Sequence, residues 1–272
     1  MVNSLKGKVV IITGASSGIG TACAFAFANE GCKVMLAARD EVKLVAVMNE
    51  IKQRGGIATI CKTDVSKEED CQQLINETIK QFGTIHILIN NAGNSMRALF
   101  SEVDLKVLKE LMNINFWGTV FCTKYAMNEI LKNKGTIVGV SSIAGYKGLP
   151  GRTGYSASKF AMMGFLESLR TENLKTGIHV LIVCPGYTTS NIRNTALNKE
   201  GKAQGETPFD ESKLMSAEKV ADEIVRGVIK KKRTLILSMQ GKLTVFFNKF
   251  FPALLDKVVY RVVAKEKDSP FK

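Results

Sequence analysis

The sequence has one tryptophan, two histidines and five prolines in 272 residues. Two histidines, His86 and His179, are too few for a histidine-rich metal centre. Its six cysteines (Cys23, Cys32, Cys61, Cys71, Cys122, Cys184) are scattered with no Cys-x-x-Cys pair, so metal-ligand spacing is missing and no metal is expected. Such thiols read as buried and reduced, as in a cytosolic protein. Each histidine opens an apolar run, which gives a hydrolase triad little support. No apolar stretch approaches the ~20 residues of a membrane-spanning helix. The run Val9-Val10-Ile11-Ile12 is too short for a secretory leader and reads as a first strand.

Acid is also scarce: 25 Asp and Glu stand against 38 Lys and Arg, a net charge of +13. That excess favours anionic ligands or surfaces, a phosphorylated cofactor among them. The run Lys230-Lys231-Lys232-Arg233 suits the C-terminal end of a helix, where cations complement the dipole. Aromatic residues are not interleaved with basic ones along any stripe, so nucleic acid is not an expected partner.

What is present alternates. Short apolar or β-branched runs at 8–13, 33–38, 57–61, 86–89, 135–140, 178–184 and 234–237 are separated by helical periodicity. The helical segments fall at about 18–30, 40–54, 67–82, 104–132, 154–175 and 216–231. Continuously apolar strands separated by helices predict an α/β fold, a doubly wound Rossmann fold with a seven-stranded parallel sheet flanked by helices. One polar, weakly periodic segment, 187–215, is long for a loop and follows a strand end. It is expected to act as a lid over a substrate. The chain thus divides into a Rossmann domain, 1–239, and a C-terminal amphipathic helical extension with its tail, 240–272.

Thr13-Gly14-Ala15-Ser16-Ser17-Gly18-Ile19-Gly20 joins the first strand to the first helix. Glycines there leave backbone N–H groups at a helix N-terminus, a ready anion site. Gly14 suits a tight turn, Gly18 the approach of a diphosphate, and Gly20 close packing of helix on strand. Further clusters follow: Ala37-Ala38-Arg39, Asn90-Asn91-Ala92-Gly93, Ser141-Ser142, and Tyr155-Ser156-Ala157-Ser158-Lys159. Together, from about residue 5 to about 237, these resemble the single-domain branch of the short-chain dehydrogenase/reductase family.

Several roles are implied by that resemblance. Ser16, Ser17, Ile19, Asn91, Ala92, Gly93, Pro185, Gly186 and Thr188 would contact a nicotinamide cofactor, with Asp64 and Val65 at its adenine. Lys159 would hold ribose hydroxyls, and Asn115 would support a water-linked proton relay. The family also implies a homodimer or homotetramer built on the helices at about 104–132 and 154–175.

The catalytic candidates make chemical sense unaided. Tyr155 and Lys159 lie four apart, on one helical face. An ammonium beside a phenol favours the phenolate, so Tyr155 is expected to have a lowered pKa and to act as general acid and base. Ser142 at a strand end can hydrogen-bond a substrate oxygen as charge develops. Where a ribose-binding acid often closes the second strand, this chain has Ala38 followed by Arg39, a pattern that leans to NADP(H). The expected function is an NADPH-dependent oxidoreductase acting on a carbonyl or secondary alcohol, lipophilic or of 3-oxoacyl type. The alternative is a non-catalytic NADP-binding or structural member of the family.

Beyond the last strand, Leu243, Phe246, Phe247, Phe250, Phe251, Leu254, Leu255, Val258, Val259, Val262 and Val263 form a helical stripe. Pro252 is expected to divide it into two helices or kink it. Residues 240–263 are open to two readings: a helix closing the pocket or an interface, or one lying on an anionic membrane. The protein is accordingly expected in the cytoplasm, with peripheral membrane contact as the open question.

Overall fold

The computed structural model describes residues 5–205, 214–266, 269 and 271. Seven parallel strands form one sheet: β1 (Val9–Thr13), β2 (Lys33–Ala38), β3 (Ile57–Lys62), β4 (Ile87–Asn90), β5 (Thr136–Val140), β6 (His179–Cys184) and β7 (Thr234–Ile236), in the order β3-β2-β1-β4-β5-β6-β7. The connecting helices include α1 (Gly18–Asn29), α2 (Glu41–Gln53) and α3 (Glu68–Phe82). After β4 come α4 (Leu105–Leu111) and α5 (Gly118–Lys132), then α6 (Thr153–Glu172) and α7 (Ala217–Ile229).

The apolar strands are explained by their two covered faces. Side chains alternate across a strand, so Val10 and Ile12 join a core with Phe27 of α1, Leu44 of α2 and Ile224 of α7. Ile11, between them, joins a second core with Leu74 of α3, Ile130 of α5 and Leu166 of α6. Ile11 pairs with Met35 on one side and Leu88 on the other. The chain therefore reverses its direction of winding at β1 and β4, which opens a crevice at their C-terminal ends.

One expected helix is broken. Periodicity across 104–132 suggests a continuous helix, but a π-helical turn at Met112–Trp117 separates α4 from α5. The Gly118 N–H bonds back to the Asn113 carbonyl, five residues earlier. Gly118 also packs so closely on Val65 that a Cβ there would stand 2.8 Å from Val65 Cγ2. The extra residue rotates the two halves relative to one another, burying Asn115 and leaving Asn113 exposed.

The described part of the 187–215 segment, residues 187–205 and 214–215, is irregular but tied down. Leu197 N–H donates to Ser95 O and Arg97 N–H to Leu197 O, at 2.8 and 2.9 Å. Leu197 joins a third, small core with Met96, Val107 and Leu111, against which Leu108 and the Tyr155 ring pack. Residues 206–213 lie outside the described residues. After β7, α8 (Met239–Phe250) and α9 (Pro252–Ala264) form a pair, with Pro252 in the first turn of α9. Proline fits there because that N–H has no helical partner.

Candidate active site

The crevice at the strand ends is a cavity of about 860 Å³. Its first wall is the turn after β1. Gly14 and Gly18 take φ of +66° and +55°, where a side chain would be strained. A Cβ on Gly20 would lie 2.1 Å from the Gly14 carbonyl oxygen. Gly20 is thus required by packing and does not itself line the cavity. Ser16, Ser17, Gly18 and Ile19 do.

Thr13 and Asn91 fasten this turn to the end of β4. The backbone N–H groups of Asn91 and Ala92 both donate to Thr13 Oγ1 at 3.0 Å. The Asn91 side-chain amide also donates to Thr13 O at 2.9 Å. This cross-link holds Asn91, Ala92 and Gly93 against the cavity. Asp64 and Val65 line the same side, the Asp64 carboxylate accepting from the N–H and hydroxyl of Ser66.

At the end of β2, Arg39 and Lys43 both line the cavity beside Ser17. Asp40 lines the cavity with them, and its carboxylate caps α2 by accepting from the Lys43 N–H at 3.1 Å and pairs with Lys43 Nζ at 3.0 Å. Sequence reasoning missed Lys43, although its position four residues after Arg39 was the available signal. It also left Arg152 and Ser238 without individual roles, and both line the cavity. Ser238 caps α8 by accepting from the Gly241 N–H at 3.0 Å. Its Oγ lies 2.6 Å from where a Cβ on Gly186 would be, so Pro185 and Gly186 pack under the start of α8. Thr188, buried, donates to Gly186 O at 3.1 Å.

Ser142, Tyr155 and Lys159 share the opposite wall. Ser142 ends the stretch after β5, its Oγ accepting from the Ala144 N–H at 3.1 Å. Lys159 is almost completely buried and its ammonium donates to Val140 O at 2.9 Å. Burial lowers its pKa to about 8. The lowered phenol pKa expected for Tyr155 is not what the structure gives. Loss of solvent raises it, an effect larger than the opposing hydrogen bond from Ser142 and the charge of Arg152.

Asn115 is not brought to the cavity surface. Its side chain accepts from the Asn94 N–H at 2.8 Å and donates to Asn94 O and Ser158 Oγ at 3.0 and 2.8 Å. It ties the loop after β4 to the helix carrying Tyr155 and Lys159. Its side chain therefore positions these two segments.

Beyond Tyr155 the cavity turns apolar. Ile143, Leu149 and Ile192 line it, and α8 and α9 add Leu243, Phe247, Leu255, Val258, Val259, Val262 and Val263. Behind this wall, Glu266 is buried between Arg97 and Arg152, its carboxylate 3.2 and 3.6 Å from their guanidinium nitrogens. The remaining histidines are structural: His86 Nδ1 accepts from the Val9 N–H, and the His179 ring bonds Lys232 O.

Comparison with known proteins agrees with this geometry. Residues 8–201 match the short chain dehydrogenase family. The chain is 36% identical over 264 residues to an 11-beta-hydroxysteroid dehydrogenase A of Arachis hypogaea, covering 93% of this chain and 74% of that protein. It is 33% identical over 258 residues to a dehydrogenase/reductase SDR family protein 7-like of Drosophila melanogaster, covering 93% and 79%. The chain belongs to the short-chain dehydrogenases. As a member of that family it is an oxidoreductase using NAD or NADP and acting on CH–OH or C=O groups. The fold is also that of solved short-chain dehydrogenases. One from Burkholderia phymatum, in complex with NAD, superposes with a TM-score of 0.83 at 24% identity over 92% of this chain and 95% of that one. An alcohol dehydrogenase from Thermococcus sibiricus, complexed with 5-hydroxy-NADP, gives 0.73 at 24% identity over 85% and 96%.

Proposed function

We propose that this short-chain dehydrogenase uses NADP(H) to interconvert a lipophilic ketone and its secondary alcohol. The reading rests on one observation: the cavity has a hydroxyl-lined end at Ser17 where Arg39 and Lys43 outnumber the single carboxylate of Asp40, which is already bound to the α2 N-terminus and Lys43, and an apolar end at α8 and α9. A 2′-phosphate suits two cations at the second strand's end, where a ribose-binding carboxylate would otherwise stand. The glycine cradle fits the diphosphate, since Gly14 and Gly18 have no room or conformation for side chains. Bound there, the cofactor supplies or accepts a hydride.

The chain's own residues manage the proton and the charge. Tyr155, a neutral phenol whose pKa burial raises, donates its phenolic proton to the carbonyl oxygen during reduction and recovers it from the alcohol during oxidation. Ser142 donates a hydrogen bond to the same oxygen while it gains negative charge. Lys159 contributes a positive charge below the phenol and holds ribose hydroxyls. Asn115 keeps the Asn94 backbone and Ser158 in register with that group. The 187–205 segment forms the polar side of the substrate wall. The similarity to a protein named as a hydroxysteroid dehydrogenase supports a large apolar substrate.

The functional unit in this reading is a homo-oligomer assembled through α5 and α6. Trp117 and Phe160 stand on this side of the subunit, each close to half exposed. The deciding experiment measures NADPH and NADH oxidation against steroid, retinoid, acyl and sugar carbonyls. The proposal requires turnover of an apolar ketone with NADPH favoured. Tight cofactor binding without turnover of any carbonyl would support a non-catalytic role instead.

A further inference from the structure

The amphipathic pair α8–α9 has two apolar faces rather than one. The inner face lines the cavity. The outer face carries Phe246, Phe250, Phe251 and Leu254, each more than half exposed. Their rings form a continuous aromatic cluster: Phe246 lies 5.0 Å from Phe250 and 5.6 Å from Phe247, and Phe247 lies 6.1 Å from Phe251. An exposed apolar patch of this kind marks a contact surface.

The charges beside it specify what makes the contact. Between Met239 and Lys265 there are five cations (Lys242, Lys249, Lys257, Arg261 and Lys265) and one acid, Asp256. All five cations are exposed, and Lys249 Nζ sits 5.4 Å from the Phe250 ring. The Asp256 carboxylate is occupied by Lys147 of the main domain. A two-fold contact between copies would set this patch against itself and bring like charges together. A surface of acidic lipid headgroups complements it instead. No described helix is long and apolar enough to cross a membrane, so contact would be interfacial.

We propose that α8 and α9 dock the protein on an acidic bilayer, with Phe246, Phe250, Phe251 and Leu254 in the acyl boundary and the lysines at the headgroups. Leu243, Phe247, Val258 and Val262 belong to both faces, being at once exposed and part of the cavity lining. The cavity's apolar rim therefore opens toward the lipid. Uptake of substrate from the bilayer follows, a consequence that rests on the lipophilic-substrate reading. Docking does not depend on it.

The test is flotation of the full chain with vesicles of phosphatidylcholine and phosphatidylserine at roughly 2:1, and with phosphatidylcholine alone, at low and high salt. Neither cofactor nor substrate is needed, so failure here leaves the catalytic reading standing. The protein should float with the acidic vesicles at low salt and much less at high salt or without phosphatidylserine. Phe246→Ser with Phe250→Ser should reduce binding by on the order of tenfold or more. Neither residue lines the cavity, so this variant should keep its NADPH affinity and far-ultraviolet circular dichroism. Lys249→Glu with Lys257→Glu should remove the salt-sensitive part of binding. Retention of the parent protein at the bottom of the acidic, low-salt gradient would overturn the proposal. So would flotation unaffected by the phenylalanine substitutions, or a fall in oligomer size caused by them with no lipid binding by the parent.

Discussion

Lys159 holds its ammonium 5.9 Å from the centre of the Tyr155 ring and directs a hydrogen bond not at that phenol but at the Val140 carbonyl oxygen. The two side chains share a helical face, yet the lysine is anchored to the sheet. Burial raises the phenol's pKa above its ordinary value, so the phenol is protonated at neutral pH. Such a phenol is ready to give up a proton in the reductive direction.

Tyr155→Phe should accordingly abolish carbonyl reduction, by roughly 10²–10⁴-fold in kcat. NADPH affinity, read by fluorescence titration, should remain within about twofold, because the phenol makes little contact with the phosphates. Retention of most of the parent rate would rule out Tyr155 as the acid.

Lys159→Met should trade activity for stability. Burial has lowered this lysine from 10.5 to about 8, a shift corresponding to roughly 3 kcal/mol of destabilisation at neutral pH. Leaving Val140 O without its donor offsets about 1 kcal/mol of the gain. Below pH 8 the lysine is charged in both folded and unfolded chains, so the penalty is fully present. Between about 8 and 10.5 the unfolded chain holds a proton that the folded one has released, and stability rises with pH. The variant should therefore melt higher at pH 7, and its advantage should shrink as pH approaches 10.5. A lower melting temperature at pH 7 would contradict this.

Cofactor choice should reside in two cations. Arg39→Ala and Lys43→Ala should each lower kcat/KM for NADPH by roughly ten- to a hundredfold, the usual range for a charge-assisted bond to phosphate. Activity with NADH should change little. Because Lys43 also pairs with the helix-capping Asp40, Lys43→Ala needs a thermal melt as control. An NADH preference in the parent protein would show that these cations do not face a 2′-phosphate.

Glu266→Ala should damage the substrate side alone. It leaves Arg97 and Arg152, both largely buried, facing each other without the carboxylate, and breaking a buried pair typically costs about 3–5 kcal/mol. The expected result is a KM for a bulky apolar ketone raised more than about tenfold, with NADPH affinity unchanged. Equal loss of cofactor affinity would indicate general unfolding instead.

Assembly through α5 and α6 should be sensitive to Trp117→Lys, which places a charge on the proposed interface. Sedimentation at micromolar concentration should detect a smaller species than the parent. A parent protein that already sediments as a fully active monomer would remove the claim.

Local patterns carried most of what could be read from the chain. The strand-to-helix alternation specified the sheet because each buried strand is a short apolar run, and Tyr155 and Lys159 stood out because a spacing of four is itself geometry. Pro252 marked its helix boundary for the same reason. Other features depend on what meets in space. The π-helical turn around Asn115 is invisible to periodicity, since both flanking helices keep their own repeat. Lys43 was hidden by reading Arg39 alone. Glu266 gains meaning only from Arg97 and Arg152, and the division of the C-terminal stripe into inner and outer faces depends on the angle at which the helices meet the cavity.

The Glu266 contact also imposes an order on how the protein comes into being. Chains emerge N-terminus first, and what has emerged can begin to fold. The turn at Gly14 to Gly20, the cations after β2 and the Tyr155 helix are all made long before Glu266. Part of the substrate wall, Ile143, Leu149 and Ile192, is synthesised before α8, α9 and Glu266. The wall is complete only once the segment after α9 has closed on Arg152, so the side of the cavity that meets substrate is the last to be finished.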